Sequence, residues 1–359
     1  MSRVVTAEHD LRRLEGLIGE TIARMGLDLD GLCVLTEAAS GPYLATPVLA
    51  AAAGARRVHA VAADTRFHRA AEVERETLAL AARLGVDGAL RVERDKRSAL
   101  AEADVVTNTG PVRPIDAATV AQLKPTAVVA LMWETWELAG DMVDLDACRA
   151  HGVLVLGTNE HASPCDLRPY AGLTALRLLF ELGLEAWGTR VLLLGRQPTL
   201  GACMEDALRR AGCVVTTFSR PGEGGRPYAD LEAHLATDGA GYDALIVADH
   251  LTTEPLVPET LAVHAPAIRV GVVSGVLDAR ALRAAGLLVV PARIAPPRTM
   301  SYSLAELGPR PVLELYAASL KVGEVAARAR LEGLDVREAA RRALAEAPAM
   351  DFPGEAAWA

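Results

Sequence analysis

The stretch that most restricts the fold is RVLLLGRQPTLGACMEDALRRAGCVVTTFSR, residues 190–220. It reads as an apolar strand, a turn with glycines at Gly195 and Gly201, an amphipathic helix, and a second apolar strand. In such a unit the first glycine lets the chain leave the strand sharply. A later small residue lets the backbone come close to a ligand. The helix N-terminus then offers free N–H groups and a positive dipole end to an anion such as a pyrophosphate. Gly195 and Gly201 fit the first and last of these roles, whereas Gln197 stands where G-x-G-x-x-G has its middle glycine. Arg196, Thr199 and Leu200 complete the turn. The unit predicts a dinucleotide site in a domain from about residue 187 to 297.

The same beat continues in both directions. Short apolar runs at 32–35, 58–62, 89–92, 105–107, 128–131 and 153–156 read as strands, and so do 190–194, 213–218, 244–248, 268–273 and 287–290. Helical patterns lie between them, at 47–53, 70–84, 119–123 and 166–182. Within the last of these Leu173, Leu176, Leu179 and Phe180 share a face. The first thirty residues also read as helix, with Leu11, Leu14, Leu17, Ile18 and Ile22 at helical spacing, and 311–346 is mostly helix. Strands that are apolar throughout are buried on both faces, as in parallel sheets flanked by helices. The expectation is an α/β protein of two Rossmann-like domains with parallel sheets and a cleft between them. Residues 1–165 plus 312–359 would form a substrate domain and 166–311 the dinucleotide-binding domain. The glycine-rich PGEGGRP, 221–227, reads as a flexible surface connection.

Bulk properties narrow the function. A net charge of −9 over 359 residues argues against general nucleic-acid binding, which needs a basic surface. No apolar run reaches the length of a membrane span. The start of the chain is polar and charged, so no signal peptide is expected. The cysteines, Cys33, Cys148, Cys165, Cys203 and Cys213, form no C-x-x-C pair, and no Cys/His cluster has zinc-ligand spacing. The expectation is therefore no metal site, free thiols and a cytoplasmic location.

The turn from Gly195 to Gly201, read as G-R-x-x-x-L-G and followed by Ser219-Arg220, resembles that of the methylenetetrahydrofolate dehydrogenase/cyclohydrolase family, whose loop is G-R-S-x-x-V-G. Upstream, SPCDLRPYAGLTALRLLFELG is similar to that family's P-C-T-P-x-G lead-in. Gln197 replaces the serine and the family's catalytic lysine pattern is missing, so the loop is carried over and the folate chemistry is not. The resemblance implies NADP as the usual cofactor. The residues agree: the second strand ends in Ser219 and Arg220 rather than Asp or Glu, which suits a 2′-phosphate, with Arg196 nearby. NAD is the alternative, with Arg220 then a solvated loop residue.

A longer likeness covers most of residues 104–297. LDACRAHGVLVLGTN (145–159), YDALIVADHLTTEPLV (242–257) and VSGVLDARALRAAG (273–286) resemble, in order and spacing, passages of the D-2-hydroxyacid dehydrogenase superfamily, a fold neighbour of S-adenosylhomocysteine hydrolase. The resemblance implies a nicotinamide-binding Rossmann domain to which Asp249, His250 and Ser274 contribute, and it implies a homodimer. Two departures stand out. Val273-Ser274 occupies the place of the family's catalytic arginine, and Pro291-Ala292-Arg293 the place of its P-H histidine. The family's usual acid/base set is thus incomplete, and function has to be argued from the site.

Four loops that follow first-domain strands are candidates for that site: 36–43, 108–113, 133–137 and 159–170. His161, next to Glu160, is the candidate acid/base, since an imidazole titrates near neutrality. Arg113 and Arg168 could clamp a substrate carboxylate. Glu134 lies between Trp133 and Trp136, which could wall a pocket or instead be packed interface residues. A second approach is offered by Arg293, Arg298, Ser301 and Tyr302. Lys321 reads as a solvated side chain. The leading expectation is an NAD(P)-dependent oxidoreductase acting on a small carboxylated or amino-acid-like substrate. The alternatives are a lyase or hydrolase that retains a bound NAD, and a non-catalytic nucleotide-binding protein.

Overall fold

The structure, a computed structural model, describes residues 8–65, 68–138, 140, 142–250, 256–297 and 299–359. Arg298 and residues 251–255 of the second superfamily passage lie outside the described residues. The chain divides into two compact units, Met1–Asp166 with Gly308–Ala359, and Leu167–Leu307.

The first unit is built on β1 (Cys33–Glu37), β2 (Arg57–Val61), β3 (Leu90–Glu93), β4 (Val105–Thr107), β5 (Val128–Ala130) and β6 (Leu154–Thr158). They pair in the order β6-β5-β4-β1-β2-β3, all parallel. The chain runs one way from β1 to β3, then crosses back to start again at β4. That reversal puts a topological switch point between β1 and β4, where open α/β sheets bind ligands. Strands β1, β4, β5 and β6 are buried at every residue, which explains their unbroken apolar runs. The helix Pro309–Leu331 closes one face and is buried along most of its length. Its Gly323 lies so close to the sheet that a Cβ would stand 2.4 Å from Val105 Cγ1.

The second unit holds β7 (Arg190–Leu194), β8 (Val214–Ser219), β9 (Arg226–Pro227), β10 (Ala244–Ala248), β11 (Arg269–Ser274) and β12 (Val289–Val290). Their order is β12-β11-β10-β7-β8-β9, again parallel, with the switch point between β7 and β10. Alternate residues feed two cores, as the period of two in a strand requires. Leu192, Leu194, Leu245 and Val247 pack against helices Leu231–Asp238 and Pro258–His264. Val191, Leu193 and Ile246 pack against helices Arg168–Glu181 and Gly201–Arg210. Truncating one such leucine to alanine costs about 2–5 kcal/mol.

Several details depart from the sequence expectations. Residues 311–346 are two helices, Pro309–Leu331 and Val336–Glu346. Gly333, at φ +95°, ends the first, and Asp335 caps the second with a reciprocal bond to Glu338. A two-residue strand, β13 (Ala349–Met350), adds antiparallel to β6, so the first sheet is not wholly parallel. The 221–227 segment is not a loose connection. It contains β9, and it is pinned where Gly225 N donates to Ser219 Oγ (3.0 Å) and Arg196 Nη1 donates to the Glu223 carbonyl (2.7 Å). On helix Arg168–Glu181, Leu179 is core, whereas Leu173 and Phe180 are exposed, at 47% and 57%. Lys321 is not solvated: it pairs with Glu324 at 2.7 Å and donates to the Gly26 carbonyl at 2.8 Å.

Candidate functional site

In the first unit the loops beyond β1, β4, β5 and β6 interlock. Asn108 Oδ1, just past β4, accepts from Met132 N beyond β5 (2.9 Å). Thr158 N, at the end of β6, donates to the Trp133 carbonyl (3.0 Å), and Thr158 Oγ1 donates to the Leu131 carbonyl (2.7 Å). Gly157 makes this approach possible, because a Cβ there would meet Thr135 Cγ2 at 2.7 Å. Below the loops, Tyr316 Oη donates to Thr36 Oγ1 (2.5 Å), which also accepts from Thr107 Oγ1 (2.9 Å). This buried hydroxyl chain ties β1 and β4 to the closing helix and makes a rigid floor at the switch point.

The walls above that floor carry unsatisfied polar atoms. Asn108 Nδ2, Arg113 Nε, Trp133 Nε1, Glu134 Oε1 and His161 Nδ1 are all buried and have no hydrogen-bond partner among the described residues. Buried polar groups are nearly always paired, so orphans on adjacent loops are positions where a water, an ion or a ligand could complete the bonding. Three are donors, one is an acceptor, and the imidazole nitrogen serves either way. The Arg113 guanidinium lies 5.4 Å from the centre of the Trp133 ring. Glu134 Oε2 accepts from Trp136 Nε1 (2.6 Å), and its other oxygen is 3.4 Å from His161 Nε2. His161 is further held by its backbone N–H on Asn159 Oδ1 (3.0 Å).

Carboxyl groups crowd the same walls. Burial pushes Glu137 up to about 7; a bond from Glu134 N works against this and the Glu134 charge adds to it. Glu160 is raised well above the usual range by burial and then by the charges of Glu137 and Glu134. Burial and the neighbouring charges make Glu137 and Glu160 harder to ionise, and a cation beside them would ease it. Glu37, at the end of β1, is likewise pushed up to about 7 by burial, with the Arg113 charge opposing. It fills the space left by Gly110, where a Cβ would stand 2.1 Å from Glu37 Oε2.

The second unit presents the β7 turn. Gly195 has φ +104° and lies against β10, where a Cβ would be 2.4 Å from the Ala248 carbonyl. Gly201 opens the helix Gly201–Arg210 with its Cα against the Gly195 carbonyl, 2.2 Å from where a Cβ would stand. No acidic residue occupies that helix's first turn. The turn therefore suits a phosphate group, with Arg196, Gln197, Thr199 and Leu200 around it. Arg196 is engaged by Glu205 (2.6 Å). Arg220, beyond β8, is paired with the buried Asp249, which also accepts from Tyr228 Oη (2.8 Å). His250 Nδ1 is 2.8 Å from Ser274 Oγ, and burial lowers its pKa.

Of the residues expected from sequence, Arg113, Glu134, Glu160 and His161 fall together in the first unit. Arg168 is the first residue of helix Arg168–Glu181, in the second unit. Gly195, Arg196, Gln197, Thr199, Leu200 and Gly201 form the β7 turn. Ser219, Arg220, Asp249, His250 and Ser274 lie at the ends of its neighbouring strands. Trp133 was expected as a pocket wall, whereas Glu37, Asn108 and Glu137 lie in the candidate loops without having been assigned a role. Their place just after strands was the available signal, but nothing in spacing separates them from ordinary loop residues. Tyr228 follows the glycine-rich segment and gave no signal.

No family model matches the chain, and no curated protein matches it. Solved structures do. A dipicolinate synthase polypeptide from Bacillus halodurans is similar with a TM-score of 0.53 and 12% identity, over 81% of this chain and 96% of that one. Its counterpart in the dipicolinate synthase of Bacillus subtilis is similar with a TM-score of 0.55 and 11% identity, over 86% and 99%. A 2-hydroxyacid dehydrogenase from Ketogulonicigenium vulgare Y25 follows at 0.46 and 13% identity, over 85% and 96%. The chain thus has the two-domain Rossmann-type α/β fold that it shares with the two dipicolinate synthase polypeptides. Among the described residues no helix is long and apolar enough to cross a membrane.

Proposed function

We propose that this protein is an NAD(P)-dependent oxidoreductase acting on a small amino-acid-like substrate. The observation that carries the reading is the set of buried, unpartnered atoms at the ends of β4, β5 and β6. Asn108 Nδ2, Arg113 Nε and Trp133 Nε1 are donors suited to a carboxylate. Glu134, Glu137 and Glu160 suit an amino group, whose positive charge would draw protons off the crowded carboxyls. A molecule with both groups answers both halves of the site.

The β7 turn would hold the dinucleotide phosphates through Gly195, Gly201 and the N-terminus of helix Gly201–Arg210. When bound, the nicotinamide would supply or accept a hydride. His161 Nδ1 would give or take the accompanying proton, with the Glu134 carboxylate 3.4 Å from Nε2. Ser219 and Arg220, with no carboxylate at the end of β8, favour NADP over NAD. The free cysteines fit a cytoplasmic protein, and the exposed Leu173 and Phe180 fit a homodimer contact.

Titration with NADPH and NADH, followed by nicotinamide fluorescence, tests the reading, with amino acids and 2-oxo acids plus ammonia then screened for turnover. Tighter NADPH binding and net NADPH consumption are expected. A copurifying NAD that does not exchange would move the protein to a lyase or hydrolase that recycles its cofactor. If neither nucleotide binds nor copurifies, the reading is lost.

A further inference from the structure

Away from the ligand loops, Cys33 and His59 lie on one face of the first sheet. Cys33 pairs with Arg57 in the parallel register of β1 and β2, and His59 is two residues further along β2. Glu93, at the end of β3, falls on the same face, because His59 pairs with Arg91. Glu102 reaches this group from the turn before β4. The Cys33 thiol, a nitrogen of His59 and a carboxylate oxygen of Glu102 all lie within 4.8 Å of one another.

His59 is the telling residue. Its Nδ1 is 2.5 Å from Glu93 Oε1, and Ser98 Oγ donates to the other Glu93 oxygen. With Nδ1–H donating to that carboxylate, the neutral ring carries its lone pair on Nε2. That Nε2 is buried and has no hydrogen-bond partner among the described residues. It stands 3.8 Å from Glu102 Oε2. Two ligand atoms sharing one ion at roughly 2.0–2.3 Å are separated by about 3.3–3.8 Å in a tetrahedral site. Negative charge near the group comes from Glu93 and Glu102, since Asp104, which accepts from Cys33 N at 2.8 Å, is itself paired with Lys124.

We infer that Cys33, His59 and Glu102 form a binding site for a zinc-type divalent cation, with Glu93 as the positioning residue for His59. One thiolate, one imidazole and one carboxylate make a three-ligand set that leaves the fourth position to water. Binding requires loss of the Cys33 proton. Glu102, with its side chain 52% exposed, gives the ion a way in. The site is independent of the proposed oxidoreductase activity. It escaped the spacing test because its ligands come from three separate segments.

Cobalt(II) is the probe. The full-length protein, stripped with a chelator, is titrated with cobalt(II) and then with zinc(II). One equivalent of cobalt is expected to give a thiolate-to-cobalt charge-transfer band in the near ultraviolet, which zinc then removes. Cys33→Ser should abolish the band. Glu102→Gln, at a half-exposed position, and Glu93→Gln should each weaken cobalt binding about tenfold or more while circular dichroism stays unchanged. Absence of the band in the unaltered protein overturns the assignment. Equal cobalt affinity in the unaltered protein and both glutamine variants overturns it too, and His59 is then a core histidine shared by two glutamates. If Cys33→Ser fails to fold, the two glutamine variants decide the matter.

Discussion

Glu134 Oε1 stands 3.4 Å from His161 Nε2, while the other ring nitrogen, Nδ1, is buried and bonded to nothing among the described residues. One carboxylate oxygen thus lies beside one ring nitrogen, and the other nitrogen is left for a substrate. His161→Gln keeps the size and loses the proton exchange. Turnover should fall by roughly 10²–10⁴-fold with little change in substrate KM. An unchanged rate would remove His161 from the mechanism.

Arg113 and Asn108 offer their unpartnered donors together. Arg113→Ala should raise KM for a carboxylate-bearing substrate by roughly 10–100-fold, the loss of one charge-assisted bond, with kcat reduced less. Steady-state kinetics read the two parameters separately. A fall in kcat alone would show that Arg113 does not hold the substrate in its ground state.

Glu37 couples stability to pH. Its carboxyl titrates at about 7 in the folded protein against an ordinary value of 4.5. The folded state therefore binds more protons between those values. The contribution is full below about pH 4.5 and is lost as pH rises through 7. Glu37→Gln should flatten this part of the stability curve and stabilise the protein above pH 7 by up to about 3 kcal/mol. Urea melts of both proteins from pH 4.5 to 8 measure the difference, and parallel curves would refute it.

Gly201 has no room for a side chain, with the Gly195 carbonyl 2.2 Å from its Cβ position. Gly201→Ala must push the β7 turn outward. A cost of about 1–3 kcal/mol is expected, together with loss of nucleotide binding measured by fluorescence titration. Normal nucleotide affinity in a folded variant would place the cofactor elsewhere.

Arg220 covers Asp249, which is 1% exposed, while Arg220 itself is 45% exposed. Arg220→Ala should destabilise the protein by about 1–3 kcal/mol, because Tyr228 alone then satisfies a buried carboxylate. The same change should narrow the preference for NADPH over NADH. Thermal melts and the two nucleotide titrations separate the structural effect from the binding effect.

The alternation of apolar strands with helices was legible in the chain, and so was the β7 turn. Val105–Thr107, Arg190–Leu194 and Ala244–Ala248 fall where their apolar runs do. In each case the cause is local: a strand buried on both faces has to be apolar throughout, and a turn this tight has to be glycine. The two-residue strands Arg226–Pro227 and Ala349–Met350 were not legible, because their pairing comes from neighbouring strands and not from any pattern of their own.

The order of strands and loops along the chain sets which residues could meet at a switch point. Which of them do meet depends on how the folded strands and loops pack. Glu134 faces His161 because Gly157 lets the loop beyond β5 lie on β6, and Glu160 becomes hard to ionise because it is buried and then because of the charges of Glu137 and Glu134. Arg220 turned inward to Asp249, and His59 was left with a bare nitrogen beside Cys33 and Glu102. Spacing along the chain sets backbone periodicity. Contacts between side chains on different strands depend on register and direction, which exist only once the sheet has formed.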